Sequence, residues 1–225
     1  MREMVLSLLF GRSNKFLKMK ADLVLVCHNS LSDLERFLPS IKANTTDYNL
    51  IIVDNGDKKL PIDFLEKLTA KYISTSNNGY GTACNVGAKA GTSEFIVFLN
   101  CDLLATKDWL NNLLKPFSDP AVAVTGARLF NEQGLEYRTP ERGHVIGCCY
   151  AIRRKVFEQL GGFDENFFLF FEETDLSLRA TKAGFYVVRS DAKLIHFHPH
   201  FLPMPPYLQT HYDFSQNYFK IKHNL

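Results

Sequence analysis

The chain has 225 residues, a length that one hydrophobic core supports, and we expect a single domain. Hydrophobic residues make up 46% and charged residues 22%, proportions that are typical of a buried globular core and exclude disorder, collagen and coiled coil. The formal net charge of +2 is too small for binding driven by phosphate contacts, which need clustered positive charge. We therefore expect no nucleic-acid partner.

The first twenty residues differ in character from the rest. An apolar stretch is followed by four basic residues, Arg12, Lys15, Lys18 and Lys20. Such a segment either contacts an anionic membrane surface peripherally or packs on the domain. We treat residues 1–20 as a basic leader and residues 21–225 as the domain. No apolar run in the sequence approaches the roughly 18 residues that a membrane-spanning helix requires.

The cysteines indicate a reducing compartment. Their number is odd, their spacing fits neither a zinc nor a redox motif, and no secretory signal precedes them. We expect free thiols and a cytoplasmic protein. The residues are Cys27, Cys84, Cys101, Cys148 and Cys149.

Strands and helices alternate along the first half of the chain. Apolar runs predict buried strands at residues 22–27, 49–55, 72–76 and 94–100. Helical patterns follow them at residues 32–42, 63–71, 83–91 and 107–117. This alternation favours right-handed crossovers and a mostly parallel α/β sheet with helices on both faces. In such sheets ligands bind beyond the carboxyl ends of the strands.

The second half is less regular. Residues 121–130 and 144–152 have strand patterns, and residues 154–162 and 172–184 have helical patterns. Gly184 closes the last of these helices. The tail from residue 199 to residue 225 contains four prolines and many aromatic residues, and we expect it to pack as an irregular segment.

Polar residues follow the apolar strands of the first half, where this topology places its ligand crevice. One such residue is often no more than a turn. Four strands that all end in this way indicate a binding edge. The residues are His28 and Asn29, Asp54 and Asn55, Asn77 with Gly79 and Gly81, and Asn100 with Asp102.

Two stretches carry carboxylates that could serve a metal or act as a base. In FLNCD, Asn100 and Asp102 can share an orientation, and hard oxygen ligands suit Mg²⁺ or Mn²⁺ carrying a diphosphate. A helix N-cap would explain Asp102 equally well. In FFLFFEETDL, Glu172, Glu173 and Asp175 follow a block of aromatic residues and begin a helix. They either compensate the helix dipole or supply a general base beside apolar walls.

Three histidines alternate in LIHFHPH, so that an extended segment would aim them at one side. A zinc site would need a further ligand and a rigid frame, and Pro199 interrupts the segment. We expect one histidine to join a metal shared with Asp102.

These motifs resemble, in order and spacing, the family 2 glycosyltransferases of the GT-A fold, in particular their rhamnosyltransferase-like and polysaccharide-biosynthesis branch. The likeness covers residues 21–200. IIVDNGD resembles the family's "I-V-D-N-G-S", and SNNGYGTACNVGAKAG resembles its "N-x-G-x-x-x-A-x-N-x-G". FLNCD stands where the metal motif "L-N-x-D" belongs. GGFDENFF and the acidic stretch after it resemble the family's "G-G-F-D-E-x-F-F … E-D-x-D-L", and AKLIH ends in the matching histidine, His196.

The resemblance implies an inverting transfer of a sugar from a UDP- or dTDP-linked donor, rhamnose or another hexose, to a hydroxyl of a glycan or lipid-linked acceptor. It implies Mn²⁺ or Mg²⁺ as cofactor, bound by Asp102 and His196. It places Glu173 at the position of the base, with Glu172 and Asp175 as alternatives. Nucleotide contacts are implied for His28, Asn29, Asp54, Asn77, Gly79, Asn85, Asn100 and Cys101.

Two residues depart from the family pattern. Glu173 stands in place of the usual aspartate and is longer by one methylene group. Asp57 replaces the usual serine after D-N-G. The first departure makes a second interpretation possible, a non-catalytic nucleotide-sugar-binding module of the same fold. The chain also ends soon after the histidine, which fits either a minimal enzyme or one module of a longer polypeptide.

Overall fold

The computed structural model describes residues 20–137, 143–197 and 204–225. The predicted leader lies outside these residues except for Lys20. The strands are β1 Ala21–Cys27, β2 Tyr48–Asp54, β3 Lys71–Ser74, β4 Phe95–Asn100, β5 Leu103–Ala105, β6 Val122–Phe130, β7 Cys149–Arg153 and β8 Tyr186–His196. The helices are α1 Leu31–Asn44, α2 Ile62–Leu65, α3 Tyr80–Ala90, α4 Trp109–Leu114, α5 Arg154–Gln159, α6 Glu172–Lys182 and α7 Pro206–His223, with a 3₁₀ turn at Lys115–Ser118.

The strands form one sheet in the order β3-β2-β1-β4-β7-β6-β8-β5. Strands β1 to β4 pair in parallel, as the alternating sequence pattern predicts. Strand β7 runs antiparallel to β4 and β6, β8 is again parallel to β6, and β5 closes the far edge antiparallel to β8. The predicted fold class, a mostly parallel α/β sheet flanked by helices, is confirmed.

Helices cover both faces of the sheet because β1 and β4 are apolar on both sides. Helix α1 buries Leu34 and Phe37 on one face, next to Trp109 of α4. Helices α3, α5 and α6 cover the other face. Gly87 of α3 lies so close to the Val24 side chain that any side chain at this position would collide with it, which explains the glycine of the "N-x-G" motif.

The strand register brings the predicted polar residues to one edge. Cys27 lies beside Asp54, Val26 beside Asn100, and Asp54 beside Ser74. The residues that follow β1, β2, β3 and β4 therefore meet at the carboxyl end of the parallel strands, as the sequence predicts.

Two predicted elements are wrong. The helix expected at residues 63–71 covers only Ile62–Leu65, because β3 begins at Lys71, where it pairs with Ile51 of β2. The tail is not irregular, since Pro206–His223 forms an 18-residue helix, α7. Pro205 and Pro206 stand at the helix start, where a missing N–H costs nothing and the fixed φ suits the first turn. No helix among the described residues has both the length and the apolar character needed to cross a bilayer.

Candidate active site

Asp102 and His196, the residues predicted to share a metal, are in contact at the carboxyl edge of the sheet. The Oδ2 atom of Asp102 lies 3.1 Å from Nε2 of His196. Strand β5, which the sequence did not predict, brings them together because it pairs with β8 and sets Leu103 opposite His196. The Phe197 amide also donates to the Asp102 carbonyl at 3.0 Å. The two side chains therefore lie where one ion could contact both.

The chemistry of this pair fits a divalent cation. The carboxylate suits Mg²⁺ or Mn²⁺, and the imidazole nitrogen, a softer ligand, favours Mn²⁺. Among the described residues, no group of three or more His, Cys, Asp and Glu side chains is arranged to hold a metal. Two protein ligands leave coordination positions for phosphate oxygens and water, which is usual where a metal carries a phosphorylated substrate. The other two histidines of LIHFHPH, at positions 198 and 200, lie outside the described residues.

The loops after β1, β2 and β3 are joined by hydrogen bonds. His28 Nδ1 lies 3.3 Å from the Asn55 carbonyl oxygen, and Asn55 Nδ2 donates to Asn77 Oδ1 at 3.3 Å. Asn29 Oδ1 accepts from the Lys58 amide at 2.9 Å. The Oδ1 atom of Asn55 is buried, and no described residue donates a hydrogen bond to it. This buried acceptor is a position that a donor group of a bound ligand would satisfy.

Asp54 organises the loop after β2. Its Oδ1 accepts from the Gly56 amide at 3.0 Å, and its Oδ2 accepts from the Leu60 amide at 2.9 Å and from the Tyr72 hydroxyl at 2.7 Å. Burial and then the bond to Asp54 raise the pKa of Tyr72 to about 12. Asp54 itself is 1% exposed. The structure thus gives Asp54 loop-forming partners where the sequence suggested a direct nucleotide contact.

Two more predicted nucleotide residues also have internal partners. The Asn85 amide donates to the Phe163 carbonyl at 3.0 Å and accepts from the Phe163 N–H at 2.9 Å, so it clamps the GGFDE segment to α3. The Cys101 thiol hydrogen-bonds Cys27, and this contact is the main reason that the pKa of the buried Cys27 thiol is raised. The side chains of Asn85 and Cys101 therefore serve packing, while Asn100 is partly exposed at the edge.

Gly79 allows a close approach between the glycine-rich turn and the acidic motif. Its φ of 106° is in the region that favours glycine, and a Cβ atom here would lie 2.7 Å from the Phe168 carbonyl oxygen. The Tyr80 amide donates to that same oxygen at 2.9 Å. The turn at residues 77–81 is thereby fixed to the aromatic segment that precedes Glu172.

Helix α6 presents three acids in its first turn, Glu172, Glu173 and Asp175, and each has a different environment. Asp175 is fully buried, and it forms ion pairs with Arg179 Nε at 2.7 Å, with Lys222 Nζ at 2.7 Å and with His223 Nε2 at 2.8 Å. A carboxylate held by two cations and by the His223 imidazole is not free to take a proton from a substrate. Asp175 therefore fits a positioning role better than that of the base.

Glu172 points into the protein. It is 4% exposed, and its Oε2 has no hydrogen-bond partner among the described residues. Burial and then the charge of Glu173 raise the pKa of Glu172. The neutral form is favoured where water is excluded and no cation is near.

Glu173 is partly exposed and lies against Gly147, whose added Cβ would be 3.4 Å from the Glu173 carboxyl carbon. Burial raises the pKa of Glu173, and the neighbouring His144 partly offsets this effect. The sequence interpretation missed His144 and the role of Asn55. His144 is the first residue of the strand predicted at residues 144–152, and nothing in that strand pattern marks it as functional. Asn55, in contrast, is part of the quoted IIVDNGD stretch.

Residues 147–148 connect the acidic motif to the end of β4, two residues before Asp102. Gly147 lies against Glu173, and the Cys148 carbonyl accepts from the Asn100 amide at 2.9 Å. Cys148 is buried, and after burial and the neighbouring Cys149, the charges of Asp102 and Glu173 both contribute to raising its pKa. The Tyr137 ring packs edge-on against the His196 ring, with centroids 5.9 Å apart. Asp102 and Glu173 thus both lie near Cys148.

The fold agrees with the GT-A type that the motifs predict. The sequence pattern described as "Glycosyl transferase family 2" matches residues 22–174. The chain belongs to this family, as its motifs predict.

Two curated relatives carry related names. The chain is 31% identical over 232 residues to N-acetylglucosaminyl-diphospho-decaprenol L-rhamnosyltransferase of Mycobacterium tuberculosis, covering 79% of this chain and 76% of that protein. It is 30% identical over 151 residues to O-antigen biosynthesis protein RfbC of Myxococcus xanthus. That match covers 52% of this chain but only 12% of RfbC.

A solved structure supports the fold. The crystal structure of GalNAc-T7 with UDP, GalNAc and Mn²⁺ is similar with a TM-score of 0.69 and 20% sequence identity. The similarity covers 80% of this chain and 44% of GalNAc-T7. At this identity the likeness establishes the fold alone.

Proposed function

We propose that this protein is an inverting, metal-dependent glycosyltransferase that moves one sugar from a nucleoside diphosphate donor to a hydroxyl group. The observation that carries the proposal is the contact between Asp102 and His196, with Glu173 lying against Gly147 beside the end of β4 that leads to Asp102. Family membership supports it. A UDP- or dTDP-linked rhamnose or hexose is the proposed donor, since the Mycobacterium tuberculosis relative is named a rhamnosyltransferase.

The loops after β1, β2 and β3 would bind the nucleoside. The buried Asn55 Oδ1 can accept a hydrogen bond from the N3–H of uracil or thymine, a donor that both proposed bases carry. His28 and Asn77 contact other atoms of Asn55, and Asn29 accepts from the Lys58 amide in the loop after β2. Asp54, Gly79 and Asn85 would act by holding the loops in shape, and Asn100 lies at the same edge.

Asp102 and His196 would hold Mn²⁺, or Mg²⁺ in its place, next to the diphosphate. A divalent cation bound there neutralises the charge that grows on the departing nucleoside diphosphate. The pairing of β5 with β8 keeps the Asp102 and His196 side chains together before the donor arrives, so the position of the cation would be set in advance.

Glu173 would be the base. It accepts the proton of the acceptor hydroxyl while that oxygen bonds to the anomeric carbon, and the bond from this carbon to the diphosphate oxygen breaks on the opposite face. Glu172 remains neutral because it is buried, so the neighbouring pair carries one charge and Glu173 can be the ionised member. Asp175 is engaged with the Arg179 and Lys222 cations and with the His223 imidazole, and it does not take part in proton transfer.

We propose a glycan or lipid-linked hydroxyl as the acceptor, by analogy with the diphospho-decaprenol in the name of the relative. The basic leader at residues 1–20 would contact the membrane that carries such an acceptor, while residues 21–225 form the transferase domain. The five free cysteines are all buried, which supports a cytoplasmic location.

The first experiment is a thermal-shift panel of nucleotide sugars with and without Mn²⁺, because a ligand that binds the folded state raises its apparent stability. The donor that stabilises most is then assayed for release of nucleoside diphosphate and transfer of sugar. The non-catalytic alternative predicts binding without turnover. No stabilisation by any UDP- or dTDP-sugar in the presence of Mn²⁺ would overturn the donor assignment.

A further inference from the structure

Helix α7 packs against the aromatic segment that leads into the acidic motif. Ser215 Oγ donates to the Leu169 carbonyl at 2.8 Å. The Tyr212 ring packs edge-on against Phe170 and Phe171, with centroids 5.7 and 5.3 Å apart. Phe219 adds a tilted contact with Phe171 at 5.4 Å. The tail of the chain thus contacts the residues immediately before Glu172.

These contacts surround an unusual backbone. Phe170 has φ of 70° and Phe171 has φ of 68°, so two consecutive bulky residues are in the left-handed region that favours glycine. Such a conformation is unfavourable for a phenylalanine and persists only where the surrounding structure determines it. Phe171 is also the residue from which α6 begins. The orientation of the Glu173 side chain in the first turn of α6 therefore depends on contacts outside α6.

Lys222 of α7 joins the two acidic motifs of the sequence. Its Nζ lies 2.6 Å from Asp164 Oδ2 in the GGFDE segment and 2.7 Å from Asp175 Oδ1 in α6. Tyr218 supports the first contact by donating to Asp164 at 3.0 Å. Asp175 is fully buried and Lys222 is 25% exposed. The ammonium group links the tail to the start of α6, beside His223, whose Nε2 lies 2.8 Å from the same Asp175 oxygen.

We propose that α7 is a positioning element of the active site and that Lys222 is its principal positioning residue. Lys222 links Asp164 to Asp175, and Tyr212 and Ser215 hold the Phe170–Phe171 turn. Through these contacts α7 fixes the orientation of Glu173. The inference rests on the proposed function of Glu173 as the base. It goes beyond that function because it gives the tail control over the rate of proton removal. None of the transferase motifs includes the tail.

The test compares Lys222→Met with Lys222→Arg and with the control Lys220→Met. Lys220 is exposed, and its Nζ donates a hydrogen bond to Gln216 Oε1 of its own helix at 3.3 Å. We expect Lys222→Met to lower kcat by about 10- to 100-fold with donor KM changed by less than about twofold, because small misplacement of a catalytic group is costly. Lys222→Arg should restore part of kcat, and Lys220→Met should leave it unchanged.

Hydrogen–deuterium exchange of the same variants provides a readout that needs no donor. Amides of residues 169–175 should exchange at least about 10-fold faster in Lys222→Met, while those of β1 to β4 keep their rates. Native kcat in a folded Lys222→Met protein, an equal loss in Lys220→Met, or unchanged exchange at residues 169–175 would each overturn the proposal. If the wild-type protein transfers no sugar, the proposed function fails, and the exchange result alone decides whether α7 positions the motif.

Discussion

The Oδ2 atom of Asp102 lies 3.1 Å from Nε2 of His196, although 94 positions separate the two residues in the chain. Strand β5 is only three residues long, yet its antiparallel pairing with β8 sets this distance. The contact joins the end of the parallel half of the sheet to β8, the last strand along the chain. The contact between the two proposed metal ligands is therefore determined by strand register.

Nucleotide binding should depend on metal through Asp102. We expect titration calorimetry to show tighter binding of UDP with Mn²⁺ than without it, because the cation offsets the charge of the diphosphate. Asp102→Asn should remove most of this difference. Asp108→Asn is the matched control, since Asp108 is exposed and its left-handed backbone suits asparagine. Equal affinity for UDP with and without Mn²⁺ in the wild-type protein would refute the metal assignment.

Asp54→Ala should weaken nucleotide binding by about 1–3 kcal/mol, because the Gly56 and Leu60 amides lose their acceptor and the loop after β2 relaxes. Tyr72→Phe removes one of the three bonds and leaves both amides satisfied. It should lower the free energy of unfolding by about 1 kcal/mol with little effect on binding. Calorimetry and urea unfolding measure the two effects. Native affinity in a folded Asp54→Ala protein would show that the loop does not need this carboxylate.

The link between Lys222 and Asp164 should be visible in the pH dependence of stability. Burial acts to raise the pKa of Asp164, but the hydrogen bonds from Lys222, Asn166 and Tyr218 outweigh it and lower this pKa to about 2. A carboxyl group whose pKa is lowered by folding stabilises the folded state at pH values above its ordinary, unfolded-state pKa. This stabilisation is lost as the pH falls towards the pKa of the folded state. Lys222→Met should therefore cost about 1–2 kcal/mol at pH 6 and less at pH 3. Urea unfolding at both pH values measures it, and a cost that does not change with pH would count against the ion pair.

The pH profile of kcat should reflect the raised pKa of Glu173. A base is active when ionised, so the rate should fall as pH drops through this pKa, at a pH above the ordinary glutamate value of about 4.3. Steady-state rates between pH 4 and 8 with saturating donor and Mn²⁺ locate the acidic limb. If kcat falls only at or below the ordinary pKa of glutamate, Glu173 is not desolvated in the working enzyme.

The parallel half of the fold was predictable because its strands are continuous apolar runs of five to eight residues followed by polar turns. The register then places His28, Asp54, Asn77 and Asp102 at one edge by topology alone. Strand β5 was not predictable, since three residues carry no periodicity. Its pairing with β8 is a long-range contact that no local pattern encodes.

The tail shows a different limit. Pro199, Pro203, Pro205 and Pro206 suggested an irregular segment, yet the last of them begins α7. Only Ser215 and Phe219 of this helix are buried, so its apolar face is too narrow to reveal a helical period. Much of its attachment comes from ion pairs and ring contacts with residues 164–175. Which acid of that motif is the base also could not be read from spacing, because burial and cation partners distinguish Glu172, Glu173 and Asp175.

The most direct test of the account is the transfer rate of Glu173→Gln beside that of Glu172→Gln, measured with the stabilising donor, an acceptor and Mn²⁺. Glu173→Gln keeps the size of the side chain and removes its basicity. It should retain donor affinity by calorimetry while losing roughly 10²–10⁴-fold in transfer, and Glu173→Asp should keep part of the activity. Near-native transfer by Glu173→Gln, with transfer abolished in a folded Glu172→Gln protein, would contradict the assignment and place the base at Glu172.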